Sequence, residues 1–178
     1  GQTLAQGAIA VLNYPELRVQ ETALAQLPLT VPYIPGYLSF RELPVLLAAW
    51  EHLHCDPDLI LCDGQGYAHP RRFGLACHLG LALDKPTIGV AKSLLTGRHD
   101  PVPSQKGAWV PLLDGSETLG AVLRSRANVR PLYISVGHRL SLEDALIWTQ
   151  NCLTRYRLPE PTRLADKDSR QAFNTFRL

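Results

Sequence analysis

The chain reads as an α/β protein, and three features carry that reading. Two short apolar runs, Asp58-Leu59-Ile60-Leu61-Cys62 and Pro86-Thr87-Ile88-Gly89-Val90-Ala91, have the length and composition of buried strands. Between them apolar residues recur at Phe73, Ala76/Cys77, Leu79/Gly80 and Leu83, which is helical spacing. If the sheet is parallel there, Asp63 and Lys92, each just past a strand, leave it at the same edge. Open α/β sheets place their ligand sites at that edge.

Asp63 opens the loop Asp63-Gly64-Gln65-Gly66-Tyr67-Ala68-His69-Pro70-Arg71-Arg72. A carboxylate, an imidazole and two guanidiniums within ten residues suit a metal-and-phosphate site, and the glycines let another backbone or a nucleotide come close. Ordinary loop chemistry offers the same residues, since an aspartate after a strand often serves only a turn or a cap. The third glycine of a dinucleotide fingerprint is absent, with His69 in its place. Pro70 stands where a helix can start. Lys92 is either a catalytic or charge-balancing group or a surface lysine at a strand end.

Ahead of this region, Gly7 to Leu12 and Leu17 to Leu27 read as a strand pair joined by the turn Tyr14-Pro15-Glu16. Residues 28 to 37 hold too many prolines for a helix or central strand. They form a stiff loop, and Tyr33 on it either packs on its own domain or serves as a stacking wedge. Ser39-Phe40-Arg41-Glu42 matches a capping box, in which Glu42 reaches back to a backbone amide. Pro44 would then lie inside the helix, so the second reading starts the helix at Pro44 and leaves Glu42 outside it. The helix that follows is amphipathic through Leu46, Leu47, Trp50 and Leu53.

After Lys92, residues 97 to 107 are loop-like, and Trp109 to Leu113, Leu119 to Ser125 and Pro131 to Val136 read as strands. Ser141-Leu142-Glu143-Asp144 starts a helix that runs to about residue 155, and a last helix carries Asp166. His138 reads as a structural histidine. At 178 residues, with 46% hydrophobic and 19% charged residues, one globular domain, 1–178, is expected. No apolar run has transmembrane length and no signal peptide is evident, so no membrane partner is expected. A cytoplasmic location and a monomer are further expectations. Cys55, Cys62, Cys77 and Cys152 form no C-x-x-C pair and read as reduced thiols. His52, His54 and Cys55 lack a second ligand pair at zinc-finger spacing.

The net charge of +2 excludes nothing by itself. Between residues 120 and 163, however, seven arginines face three acids, and Arg124 and Arg126 alternate on one expected strand. They make either a solvated basic face or a phosphate-tracking surface.

Taken together, Pro32-Tyr33-Ile34-Pro35-Gly36, Ser39-Phe40-Arg41-Glu42, the 63–72 stretch, Gly89-Val90-Ala91-Lys92, Val136-Gly137-His138-Arg139 and Pro159-Glu160-Pro161-Thr162-Arg163 resemble endonuclease V, in order and with compatible spacing. This is the deoxyinosine 3′-endonuclease family, and the tyrosine-bearing loop looks like its bacterial, DNA-repair branch. The resemblance implies a ribonuclease H-like mixed sheet flanked by helices. It implies Glu42 and Asp63 as Mg²⁺ ligands, with Mn²⁺ as a substitute ion, and Asp166 as a further metal-site residue. Carboxylates suit that hard ion. His69 and Lys92 would assist at the scissile phosphate, Tyr33, Ile34 and Pro35 would form the wedge, and Gly36, Leu38, Gly74, Leu75 and Leu95 would receive the flipped base.

The implied reaction cuts the second phosphodiester bond 3′ to deoxyinosine, leaving 3′-hydroxyl and 5′-phosphate ends. The implied partner is deoxyinosine-containing DNA, with inosine-containing RNA as the variant reading. One departure stands out: the family's first metal-binding aspartate lies on an opening strand, whereas here no aspartate precedes Asp56. That strand is expected to be missing, and a nucleic-acid-binding fragment without activity is the alternative function. Without the resemblance, a nucleotide-binding α/β protein would fit the sheet pattern.

Overall fold

A computed structural model of the chain describes residues 4–29 and 38–175, the side chains of residue 38 and of 171–175 excepted. The elements in chain order are β1 (Leu4–Leu12), β2 (Val19–Pro28), α1 (Leu38–Trp50), β3 (Ile60–Cys62), α2 (Leu75–Leu83), β4 (Thr87–Ala91), β5 (Trp109–Asp114), β6 (Glu117–Leu123), β7 (Leu132–His138), α3 (Leu142–Asn151) and α4 (Glu160–Thr175). They fall into two units, Gly1–Pro57 with Glu160–Leu178, and Asp58–Pro159. Tyr33, Ile34, Pro35 and Gly36 lie outside the described residues.

In the first unit β1 and β2 form the expected antiparallel hairpin, with Gly7 opposite Ala25. The second strand starts at Val19 rather than Leu17, because Leu17 turns the chain at φ +54°. Asn13 closes that turn: its carbonyl accepts from the Leu17 amide at 2.9 Å and its Oδ1 from the Arg18 amide at 2.8 Å. Helix α1 lays Val45 and Ala49 on Ala25 of the hairpin, flanked by Ala5, Ile9, Leu27 and Ala48. The most buried face is therefore not the expected stripe of Leu46, Leu47, Trp50 and Leu53, which stays partly exposed.

Helix α1 already includes Ser39 and Pro44, so neither a cap at Ser39 nor a start at Pro44 describes its beginning, and Glu42 is a helical residue. A proline in a helix cannot donate to the carbonyl four residues back, here that of Phe40, and its ring crowds it. Pro44 and Phe40 share the exposed face of α1, so the proline ring meets solvent rather than the core. Burial of Val45 and Ala49 holds the turns on either side.

The second unit is a five-stranded mixed sheet ordered β3-β4-β7-β6-β5. β3 and β4 are parallel, as expected, and every other neighbour is antiparallel. All five residues of β4 are buried, which accounts for the unbroken run Thr87-Ile88-Gly89-Val90-Ala91. Ile88 and Val90 join Ala121, Leu123, Leu132 and Ile134 under Ala145 and Leu146 of α3. Thr87, on the other face of the strand, donates its hydroxyl to the Ala76 carbonyl of α2 at 2.7 Å. That second face is also covered by Ala68, packed with Leu112, Leu119 and Val122. The sheet thus lies between α3 on one side and α2 with the 63–74 loop on the other.

Helix α2 starts at Leu75 behind Gly74, not at Pro70. Before it the Arg72 amide donates back to the His69 carbonyl at 2.8 Å, and Arg72 has φ +55°, so the chain turns once more before it can coil. The helix after Ser141 has the expected cap, with the Ser141 hydroxyl accepting from the Asp144 amide at 3.0 Å, but it ends at Asn151.

Candidate active site

The parallel β3 and β4 end side by side, with Cys62 opposite Gly89. The residues that follow face each other: the Lys92 ammonium donates to Asp63 Oδ2 at 2.5 Å. Both side chains are about one-third exposed, so the pair is open to a ligand. The expectation that these two groups meet at one sheet edge rested on the strands being parallel, and they are.

Behind the pair stands Arg157, which sequence reasoning counted only as part of a basic face. Its guanidinium donates to the carbonyls of Lys92 at 2.8 Å, Pro131 at 2.9 Å and Arg130 at 2.9 Å. Burial, and then the neighbouring Arg130, pull its pKa below the usual arginine value. Arg157 therefore ties the end of β4 to the chain entering β7. Arg124 is a second such clamp. It donates to the carbonyls of Val102, Pro103 and Val129. All three nitrogens of the Arg124 guanidinium are engaged this way, and Arg124 lies just past β6, so the expected Arg124/Arg126 face is not a strand face. Nothing in a charge count separates an arginine that binds carbonyls from one that binds solvent.

Arg157→Met keeps the length of the side chain and removes its donors, leaving three carbonyls without this partner. The expected loss of stability is about 1–3 kcal/mol, read from urea unfolding. An unchanged unfolding midpoint would show that the clamp is dispensable.

The loop from Asp63 to Gly74 crosses the sheet closely. The Gly66 amide donates to Ser135 Oγ at 2.9 Å and the Tyr67 amide to the Val136 carbonyl at 2.7 Å. A Cβ on Gly66 would lie 2.8 Å from the Val136 carbonyl carbon. Gly66 therefore admits another backbone, one of the two uses the sequence allowed, whereas a Cβ on Gly64 would meet only the Leu75 side chain.

His69 is buried, 7% exposed. Burial first, and then the charge of Arg71, lower its pKa, so the ring is held neutral. Its Nδ1 accepts from the Arg71 amide at 3.2 Å. That contact assigns the proton to Nε2 and makes the ring a donor on its other side. Arg72 is not available for phosphate. It binds Glu117 Oε2 through Nε at 2.9 Å and Nη2 at 2.7 Å, and Asp114 Oδ2 at 2.7 Å.

Of the other expected site residues, Gly74 caps α2 and donates to the Gly66 carbonyl at 2.9 Å, and Leu75 is buried. Leu95 is 52% exposed, with Leu94 beside it also exposed. Glu42 lies on α1 and Asp166 on α4, both in the first unit. Asp166 pairs with Arg170 one turn on, at 2.9 Å. His138 sits at the opposite end of the sheet from Asp63, because β7 runs antiparallel to β4 and places His138 against Thr87. There its Nε2 meets Asp84 Oδ1 at 3.2 Å, and Arg139 meets Asp84 Oδ2 at 2.9 Å. Asp84 is the left-handed C-cap of α2, so His138 and Arg139 pin that helix end.

No three His, Cys, Asp or Glu side chains among the described residues gather into a metal-holding group. The donor chemistry at Asp63 nonetheless fits a hard divalent cation: it offers a part-exposed carboxylate at a strand end, balanced by a single ammonium. His54 and Cys55 are engaged with Glu21, which accepts from the amides of both and from His54 Nδ1, the last at 2.8 Å. All four cysteines are free thiols. None of the helices in the described residues is long and apolar enough to cross a membrane.

The fold is shared with solved endonucleases. The Bacillus subtilis Endonuclease_V crystal structure matches 99% of this chain and 76% of its own, with a TM-score of 0.96 and 32% identity. A Ciona intestinalis endonuclease V, solved in complex with a 24mer DNA containing an inosine followed by a ribo-adenosine, matches 97% of this chain and 80% of its own, with a TM-score of 0.83 and 30% identity. The class is therefore nuclease, on the ribonuclease H-like fold. The endonuclease V family model matches residues 1–167, and the endonuclease V of Rippkaea orientalis is 60% identical over 164 residues, covering 92% of this chain and 72% of that protein. The chain belongs to the endonuclease V family.

Proposed function

We propose that the chain is a divalent-metal-dependent DNA repair endonuclease. On this reading it hydrolyses the second phosphodiester bond 3′ to deoxyinosine and leaves 3′-hydroxyl and 5′-phosphate ends. The observation that carries the reading is the Asp63–Lys92 pair, 2.5 Å apart across the ends of two parallel strands, in a chain of this family. The inosine-containing DNA bound by the Ciona relative supports the substrate.

In this reading Glu42, Asp63 and Asp166 supply carboxylates to Mg²⁺, for which Mn²⁺ can substitute. When bound, such an ion supplies Lewis acidity at the phosphorus centre. Lys92 balances the charge of Asp63 and adds a positive charge beside the phosphate. His69, neutral and protonated on Nε2, offers a hydrogen bond to a phosphate or leaving oxygen. Tyr33, Ile34 and Pro35 form the wedge that replaces the flipped base, and Gly36, Leu38, Gly74, Leu75 and Leu95 receive it. Residues 1–178 act as one domain, as a monomer in the cytoplasm.

The test is a duplex with a single deoxyinosine, end-labelled, incubated with the chain and Mg²⁺. The expected product is one nick at the second bond 3′ to the lesion, with an end that a polymerase extends, and no nick when chelator is present or deoxyadenosine replaces the lesion. A ribo-adenosine follows the inosine in the Ciona relative's DNA, which favours one second reading, an inosine-specific ribonuclease. Faster cutting of inosine-containing RNA than of the duplex would select it. Tight binding without a cut in either substrate would reduce the chain to a binding module.

A further inference from the structure

We propose that Arg72 is a positioning residue for His69, locked onto the β5–β6 turn by Glu117 and Asp114. The inference rests on the reading that gives His69 a part in the reaction. Arg72 holds the His69 carbonyl twice, through its own amide at 2.8 Å and through Nη1 at 3.1 Å. The rest of the guanidinium is spread over Glu117 and Asp114. The other end of the segment is tied to the same carboxylate, because the Tyr67 hydroxyl donates to Glu117 Oε1 at 2.6 Å. Glu117 thus receives Tyr67 on one oxygen and Arg72 on the other, bracketing the Ala68-His69-Pro70-Arg71 stretch.

The value of this network is geometric. Arg72, Glu117 and Asp114 are all partly exposed, where ion pairs contribute little to stability. A planar guanidinium on carboxylates, however, fixes direction as well as distance, which a lysine does not. Arg72 also sits at φ +55°, a left-handed conformation costly for any residue but glycine. A turn that needed only this conformation would be served by glycine. The side chain explains why arginine stands there. Arg72 first, and then Tyr67, hold the Glu117 carboxyl below its usual pKa, so the acceptor stays ionised near neutrality.

The experiment is a double-mutant cycle on the whole chain, with cleavage of the deoxyinosine duplex measured below the melting temperature of every variant. Arg72→Lys should lower kcat about 10-fold or more, by displacing His69, with KM for the duplex unchanged. Glu117→Gln should move kcat in the same direction by less. In the His69→Ala background Arg72→Lys should cause no further loss, because the group it positions is gone. Equal loss in both backgrounds would mean a general structural role and would overturn the proposal, as would full kcat in Arg72→Lys. His69→Ala alone judges the underlying reading: full activity there would remove His69 from the reaction and the positioning role with it.

Discussion

Asp63→Asn should yield a variant that folds, still binds inosine-containing duplex and cuts it at least about 100-fold more slowly in Mg²⁺, the scale seen when a key group at a transition state is removed. Asparagine keeps the shape of the side chain and removes its charge. Stability should change by less than about 1 kcal/mol, because the Lys92 pair is part-exposed. The loss should lie in the chemical step, since a neutral amide oxygen is a weak ligand for a hard ion and Lys92 no longer has its counter-charge. Single-turnover cleavage and a melting curve on the same preparation check both halves. Unaltered cutting would remove Asp63 from the proposed ligand set.

Gly89→Ala carries the largest expected structural effect. Gly89 lies in mid β4, and a Cβ there would stand 2.8 Å from the Gln65 carbonyl carbon and 2.9 Å from the Gly64 oxygen. Those are backbone atoms of the loop that begins at Asp63, so they cannot rotate out of the way. Overpacking of this kind costs about 1–3 kcal/mol, which at this size lowers the melting temperature by roughly 3–10 °C. What must yield is the segment beside Asp63, so cutting should fall even where the variant remains folded. Gly64→Ala is the control. Its Cβ would meet only the Leu75 side chain, at an ordinary 3.5 Å, and a small change in stability is expected. Equal melting temperatures for the two variants would show that the loop can move away from β4 freely.

The strands were legible because burial leaves a simple mark on composition. The unbroken run at 87–91 predicted a buried strand, and parallel pairing with 60–62 then placed Asp63 beside Lys92 without any side-chain argument. Helix starts were less legible. Pro70 and Pro44 both looked like first helical residues, yet one lies in a turn ahead of its helix and the other lies inside one. In the first case a left-handed arginine and the Gly74 cap delay coiling. In the second, the Pro44 ring meets solvent rather than the core. The arginines misled for another reason. A formal charge says nothing of whether its partner is a phosphate, a carboxylate or a peptide oxygen, and Arg72, Arg124 and Arg157 bind atoms of their own chain.

Arg157 and Arg72 hold the two sides of the same site by opposite means, and their histories should differ accordingly. Arg157 grips peptide oxygens at positions 92, 130 and 131, which every residue type carries. Side chains at positions 130 and 131 can drift without loosening it, so its contacts leave no correlated substitutions behind. Arg72 grips the carboxylates of Glu117 and Asp114, which vanish when those residues are replaced. A lineage that loses Glu117 is therefore under pressure to change Arg72 too. One clamp is written into the backbone and is silent in comparative data; the other is a three-residue sentence that can only be rewritten together.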